Sequence, residues 1–190
     1  VKGRALSMKY LSDLDETSKD EKLSDIISFI DCYKAWIDRL EDERRATDFS
    51  ERYKIIAGKH ISLCREAYAR MVVGIDILKT NEVAWKAFVL ANRAMFMQRI
   101  HGEFQQQTHY PNDENWQESM AAVDYSSYPE DKCRWRPFQL AFLLMSIRSI
   151  VDPSCSERDL VDLIWFPTGG GKTEAYLGLT AFTIFHRRLL

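Results

Sequence analysis

Three apolar stripes at helical spacing, each bounded by polar turn residues, run almost without a break from Lys22 to Phe104. Leu23, Ile26, Ile30, Tyr33, Ile37 and Leu40 recur in steps of three and four, which aligns side chains on one helical face and predicts a helix over Lys22–Arg45. Phe29 and Trp36 widen that face beyond a two-stranded seam, so packing within a bundle is expected. The run Asp38, Arg39, Glu41–Arg45 reads as the solvated end of this helix. A second helix is expected over Phe49–Lys79, with Asp48 as N-cap and Glu51 in a capping-box relation to it. Its buried stripe would be Tyr53, Ile56, His60, Cys64, Tyr68, Met71, Ile75 and Leu78, with Gly58 and Gly74 each weakening it by roughly 1 kcal/mol relative to Ala. Asn81 can cap a third helix, Glu82 to about Phe104, whose stripe includes Trp85, Phe88, Ala91, Met95 and Gln98. Short connections predict antiparallel neighbours.

A chain of 190 residues that is 46% hydrophobic and 28% charged can bury such a core. Its 26 Lys and Arg against 28 Asp and Glu leave a net charge of -2, so no global basic field advertises nucleic-acid binding, although a local stripe is still allowed. Cys32, Cys64, Cys133 and Cys155 form no C-x-x-C pair and read as reduced thiols of a reducing compartment. His60, His101, His109 and His186 lack ligand spacing, so no metal-chelating cluster is expected. No run of 18 or more apolar residues is present, and the start does not resemble a signal peptide, so no membrane association is expected.

Between Gln105 and Cys133 the periodicity lapses into turn-formers, with Pro111 and Pro129 as breakers. The expected organisation is therefore a helical domain over 1–107, a linker over 108–132, and a second unit over 133–190. Within that unit, Phe138–Ile150 predicts a helix, "VDPSCSERDL" a loop and "VDLIWF" a buried strand.

The strand reading matters because "PTGGGKT" follows it and an apolar helical run follows that, the context a phosphate-binding loop requires. Gly169, Gly170 and Gly171 can adopt positive φ and approach phosphate oxygens without a Cβ in the way. Their N–H groups, with those of Lys172 and Thr173, would converge on an anion at a helix N-terminus. Lys172 would supply a point charge to the β- and γ-phosphates of ATP, and the Thr173 hydroxyl would hold Mg²⁺. These two are the candidate catalytic residues. Glu174, in the first turn of the following helix, suits the helix macrodipole.

The octet ending in Thr173, with Phe166 first and Thr168 third, resembles motif I of superfamily-two helicases and translocases, which read A-x-T-G-x-G-K-T; Phe166 replaces the small first residue. Upstream, Arg136-x-x-Gln139 is similar to the R-x-x-Q element of those motors. The resemblance implies that Gln139 reads the adenine edge and that Arg136 flanks the nucleotide. More narrowly, "RPFQLAFLL", "LIWFPTGGGKTEAYLGLTAFTIF" and "FVLANRAMFMQ" look like the large helicase-like ATPase of DISARM antiphage-defence systems. That implies a bacterial cytoplasmic motor acting on DNA with partner subunits, with ATP and Mg²⁺ as cofactors.

The fold class expected is a mainly α N-terminal bundle followed by the truncated start of an α/β RecA-like P-loop domain. A hydrolytic motor needs an Asp-Glu pair after a later strand. Asp15-Glu16 and Asp113-Glu114 precede the loop, follow no apolar strand and read as surface charge. With Val first and the chain stopping inside the helix after the loop, a piece of a longer protein is expected, inactive alone. Two other functions fit the same residues: a nucleotide-binding switch or assembly ATPase, and a helical protein-interaction module.

Overall fold

The computed structural model describes residues 3–107, 118, 121–165 and 169–190. Each apolar stripe forms a long helix. After the single turn α1 (Met8–Leu11) come α2 (Lys19–Ala46), α3 (Glu51–Thr80) and α4 (Glu82–Gln107). The charge run at the end of α2 places Arg44 and Arg45 on its last turn, and Asp20 and Glu21 lie on its first, both complementing the dipole. Asn81 joins α3 to α4 alone. Its amide donates to the Ile77 carbonyl at 2.8 Å and its side chain accepts from the Ala84 amide at 3.0 Å, as the capping reading anticipates.

Across that joint α3 and α4 make a smaller contact than either makes with its other main neighbours. Asn81 is extended (φ -115, ψ 107). α3 packs instead between α2 and α5 (Pro137–Val151), while α4 packs most widely on α6 (Lys172–Leu189), and α5 and α6 join the halves. One buried cluster spans both halves, from Ala5 to Phe182. Segments on either side of the expected linker thus share a core. Trp135 is its joint: the indole N–H donates to Asn92 Oδ1 at 2.7 Å, and Asn92 in turn donates to the Phe88 carbonyl at 2.9 Å. The start of the chain is tied in by Met8 N–H to the Cys133 carbonyl (2.9 Å) and Trp135 N–H to the Leu6 carbonyl (2.8 Å). Tyr125 and Tyr128, from the expected linker, rest against Phe96.

Three local expectations need correction. Asp48 is not the cap of α3. The helix starts after Ser50, whose carbonyl accepts from the Tyr53 and Lys54 amides at an exposed end, and no side chain caps it. The expected stripe of α3 is buried only towards its end: Met71, Ile75 and Leu78 are covered, whereas Tyr53 is 66% and Ile56 40% exposed, and His60 is exposed. In this half of the α2–α3 hairpin the buried hydrophobic residues are Ile37 and Ile61, because two helices packed on each other leave one face of each to solvent.

The third correction concerns the strand. Residues 161–165 carry no regular structure, and Val161, Leu163 and Trp165 are 95%, 83% and 85% exposed. Their alternation is that of a strand, but a strand is stable only beside partner strands. Among the described residues the sole bridge is an isolated pair, Ser7 with Arg134, so no RecA-like sheet is present there. Expectations placed on His109, Pro111, Asp113-Glu114 and Phe166–Thr168 lie outside the described residues.

Candidate phosphate-binding site

α5 begins with Arg136 as its N-cap residue and Pro137 in its first turn, where a missing N–H costs nothing. Gln139, at the third helical position, folds back so that its Oε1 accepts from the Arg136 amide at 2.7 Å, half of a capping box. The other end of the same amide donates to the Gly171 carbonyl at 2.7 Å, and Arg136 Nη1 donates to the Gly170 carbonyl at 2.8 Å. The N-terminus of α5 therefore clamps the glycine loop from below. Gln139 is buried, 3% exposed, with both ends of its amide bonded inside the protein.

The loop itself needs glycine. Gly169 and Gly171 sit at φ 77 and 83, and Gly171 is the N-cap residue of α6. A Cβ on Gly171 would lie 2.6 Å from Gln139 Nε2, so the clamp is tight enough to exclude any side chain. Lys172, Thr173 and Glu174 follow in the first turn of α6, with the Thr173 side chain exposed. The positive end of α6 thus opens onto the space above the loop.

That space is a cavity of about 640 Å³, within the range of small-molecule sites. Arg136, Gln139, Gly169–Gly171, Lys172 and Thr173 all line it, so the expected site residues that are described converge. Thr168 lies outside the described residues. The helical half also lines it, with Met8 of α1, and Met95, Gln98 and Arg99 of α4. Lys132 and Arg134 complete the wall. Arg99, Lys132, Arg134, Arg136 and Lys172 face a single carboxylate, Glu174, so the cavity favours an anion. Arg99 leans towards Glu103 (3.4 Å), and Arg134 donates to the Gly3 carbonyl (2.7 Å).

Sequence reasoning missed the basic wall, though a signal was present. In "KCRWR", cations alternate with apolar residues at period two. The segment buries Cys133 (0% exposed) and Trp135 (2%), which leaves Lys132, Arg134 and Arg136 on the cavity side. Burial also pushes the Cys133 thiol up to about 11.

Among the described residues no group of three or more His, Cys, Asp or Glu could hold a metal ion. Nor is any described helix long and apolar enough to cross a membrane. An apolar cleft of about 890 Å³ lies elsewhere, between Tyr33 and Trp36 of α2, Met71 of α3, Phe138 of α5, and Leu163 and Trp165.

Fold and site define a mainly helical protein with a glycine-rich loop clamped at a helix N-terminus inside a basic cavity. The chain is similar to the DISARM protein DrmA of Bacillus paralicheniformis, with 31% identity over 185 residues, 96% of this chain. It spans 15% of that relative's length. No family model matches the chain.

Proposed function

We propose that the chain is the ATP-gripping part of a superfamily-two helicase or translocase that works on DNA in a bacterial antiphage-defence system. The carrying observation is the clamp: Arg136 and Gln139 hold the carbonyls of Gly170 and Gly171, so that the loop meets the N-terminus of α6 where Lys172 and Thr173 begin. Held this way, the loop is pre-shaped for a phosphate chain, whose charge the helix end and basic wall would offset. Lys172 would contact the β- and γ-phosphates, Thr173 would hold Mg²⁺, and Thr168 with Gly169–Gly171 would cradle the phosphate chain. When bound, the ion would neutralise charge developing on the phosphates.

The exposed 161–165 segment supports a RecA-like sheet completed by strands beyond the described residues, since its alternating apolar side chains suit a covered strand. The similarity to a DISARM protein supports the defence role and partner subunits of the same system. The experiment is ATP hydrolysis by the full-length gene product with and without DNA, beside Lys172→Ala and Thr173→Ala. Both substitutions should abolish DNA-dependent turnover and phage protection. Undiminished hydrolysis in Lys172→Ala would put the site elsewhere.

A second reading, a helical interaction module, draws support from the exposed apolar residues of the α2–α3 hairpin: Tyr53 (66%), Ile55 (59%) and Leu63 (60%). Capture of a defence-system subunit by residues 3–107, lost when those three become polar, would favour it.

A further inference from the structure

The helix that carries Lys172 and Thr173 is held along its buried face at two glycines. Ala175, Gly178, Phe182 and His186 are buried on α6, and the N-cap Gly171 continues their helical spacing. Gln139 donates to the Gly171 carbonyl at 2.7 Å, and a Cβ there would lie 2.6 Å from its Nε2. Two turns on, a Cβ on Gly178 would lie 2.6 Å from Cη2 of Trp135 and 3.3 Å from its Cζ3. Trp135 and Gln139 are four residues apart, so one short segment grips α6 at its start and again about 10 Å along its axis. α6 can therefore neither slide nor turn without displacing the indole. The indole is itself fixed. Its N–H donates to Asn92 Oδ1 at 2.7 Å, Asn92 donates to the Phe88 carbonyl, and both side chains are buried. Both chain neighbours of Trp135, Arg134 and Arg136, line the cavity, and Arg136 holds the Gly170 carbonyl.

We infer that Trp135 is a positioning residue of the phosphate site: its indole, seated against Gly178 and anchored to Asn92, sets where Lys172 and the first N–H groups of α6 stand. This rests on the phosphate-site reading above and adds a route by which the helical half governs that site. Asn92 belongs to α4, so the N-terminal helices and the glycine loop are linked through one side chain. Such linkage is reciprocal: a shift of α4 alters anion affinity, and a bound anion restrains α4 around Asn92.

The test uses the full-length gene product and inorganic tripolyphosphate, titrated calorimetrically well below the melting temperature of each variant. Gly178→Ala pushes the indole aside, and Trp135→Phe leaves the notch at Gly178 empty. Each should weaken binding about tenfold, a common size for coupling between sites. The double variant should bind more tightly than either, because the smaller ring makes room for the methyl. Leu78→Ala, a comparably buried loss of volume on α3, should lower the melting temperature and leave affinity unchanged. In the unaltered protein, tripolyphosphate should slow hydrogen exchange of the α4 amides around Asn92, a measurement that needs no substitution. Unchanged affinity in Gly178→Ala and Trp135→Phe, a double variant that binds no more tightly than the singles, or an equal loss in Leu78→Ala would each overturn the inference and leave the phosphate site standing. So would exchange around Asn92 that ignores the anion. Failure of the unaltered protein to bind tripolyphosphate would instead remove the phosphate site itself, and this inference with it.

Discussion

Arg70 and Asp162 meet through two parallel hydrogen bonds of 2.7 Å each, tying α3 to the segment that enters the glycine loop. Arg70 Nε also lies 3.3 Å from Glu157, which Arg148 approaches from α5 at 3.2 Å. This half-buried network is the principal polar anchor of a segment whose apolar side chains face solvent.

Removing Arg70 should therefore cost more than removing Asp162. Arg70→Ala strips two carboxylates of their shared partner and should lower stability by about 2–3 kcal/mol; Asp162→Asn keeps one hydrogen bond and should cost about 1 kcal/mol. Urea midpoints check both. Identical midpoints for Arg70→Ala and the unaltered protein would mean that the segment is held by something else.

The same pair sets a pH dependence. The Arg70 guanidinium holds the Asp162 carboxyl below its ordinary value, the hydrogen bond outweighing partial burial. A carboxyl depressed in the folded state stabilises above its unfolded pKa of about 3.9, and that contribution is lost as pH falls through the lower folded value. Asp162→Asn should therefore destabilise at pH 7 and become neutral well below pH 4. A stability difference that persists unchanged into strong acid would contradict it.

Gly58 and Gly74 look alike in sequence, each a weak point inside α3, yet they should respond oppositely to alanine. A Cβ on Gly74 would lie 2.1 Å from the Leu144 carbonyl oxygen, backbone that α5 cannot easily withdraw. Gly74→Ala should destabilise by about 2–3 kcal/mol, overpacking outweighing the gain in helix propensity. At Gly58 the nearest atoms are the flexible Arg44 guanidinium at 4.0 Å, so Gly58→Ala should gain up to about 1 kcal/mol. Thermal melts of the pair decide; a stabilised Gly74→Ala would refute the close crossing.

Cys133 and Cys32 should differ in chemistry as they do in burial. Cys133 is fully buried, with its thiol pushed up to about 11, whereas Cys32 is exposed. In the native protein at pH 8, iodoacetamide should modify Cys32 within minutes and leave Cys133 intact until unfolding. Mass spectrometry of timed samples would show it, and early labelling of Cys133 would mean that the 132–136 segment opens readily.

What could be read from sequence follows from the range of each interaction. Helices announce themselves locally: the stripes of α2 and α4, the Asn81 cap and the glycine loop all rest on residues within one or two turns of each other. Features that depend on distant partners were not legible. The 161–165 segment has a strand's alternation but no described neighbour to pair with, and the start of α3 has a helix's stripe but nothing packed over it. Asn81 capped α4 as expected, while the main packing partners of α3 and α4 include α5 and α6, more than fifty positions away. At the site, the spacing of Arg136 and Gln139 singled out two residues whose side chains bond to the glycine loop. Only the fold revealed that Gln139 spends both ends of its amide on backbone.

Gly171 offers the sharpest separation of site from scaffold. Its φ of 83 is strained for any L side chain, and a Cβ there would press on Gln139 Nε2 at 2.6 Å. Gly171→Ala should cost only about 1–2 kcal/mol of global stability, because the loop lies at the cavity edge and outside the buried cluster. Its effect on ligand should be far larger. Displacing Gln139 would release the Gly171 carbonyl, swing the first N–H groups of α6 out of register and leave Lys172 without a fixed target. Lys172→Ala makes the natural comparison, since it removes charge while leaving the clamp in place. Both variants should lose tripolyphosphate binding, but only Gly171→Ala should broaden or shift the amide resonances of Arg136 and Gln139 in the absence of ligand. Retention of full anion affinity by Gly171→Ala would show that the clamp and the phosphate site are independent.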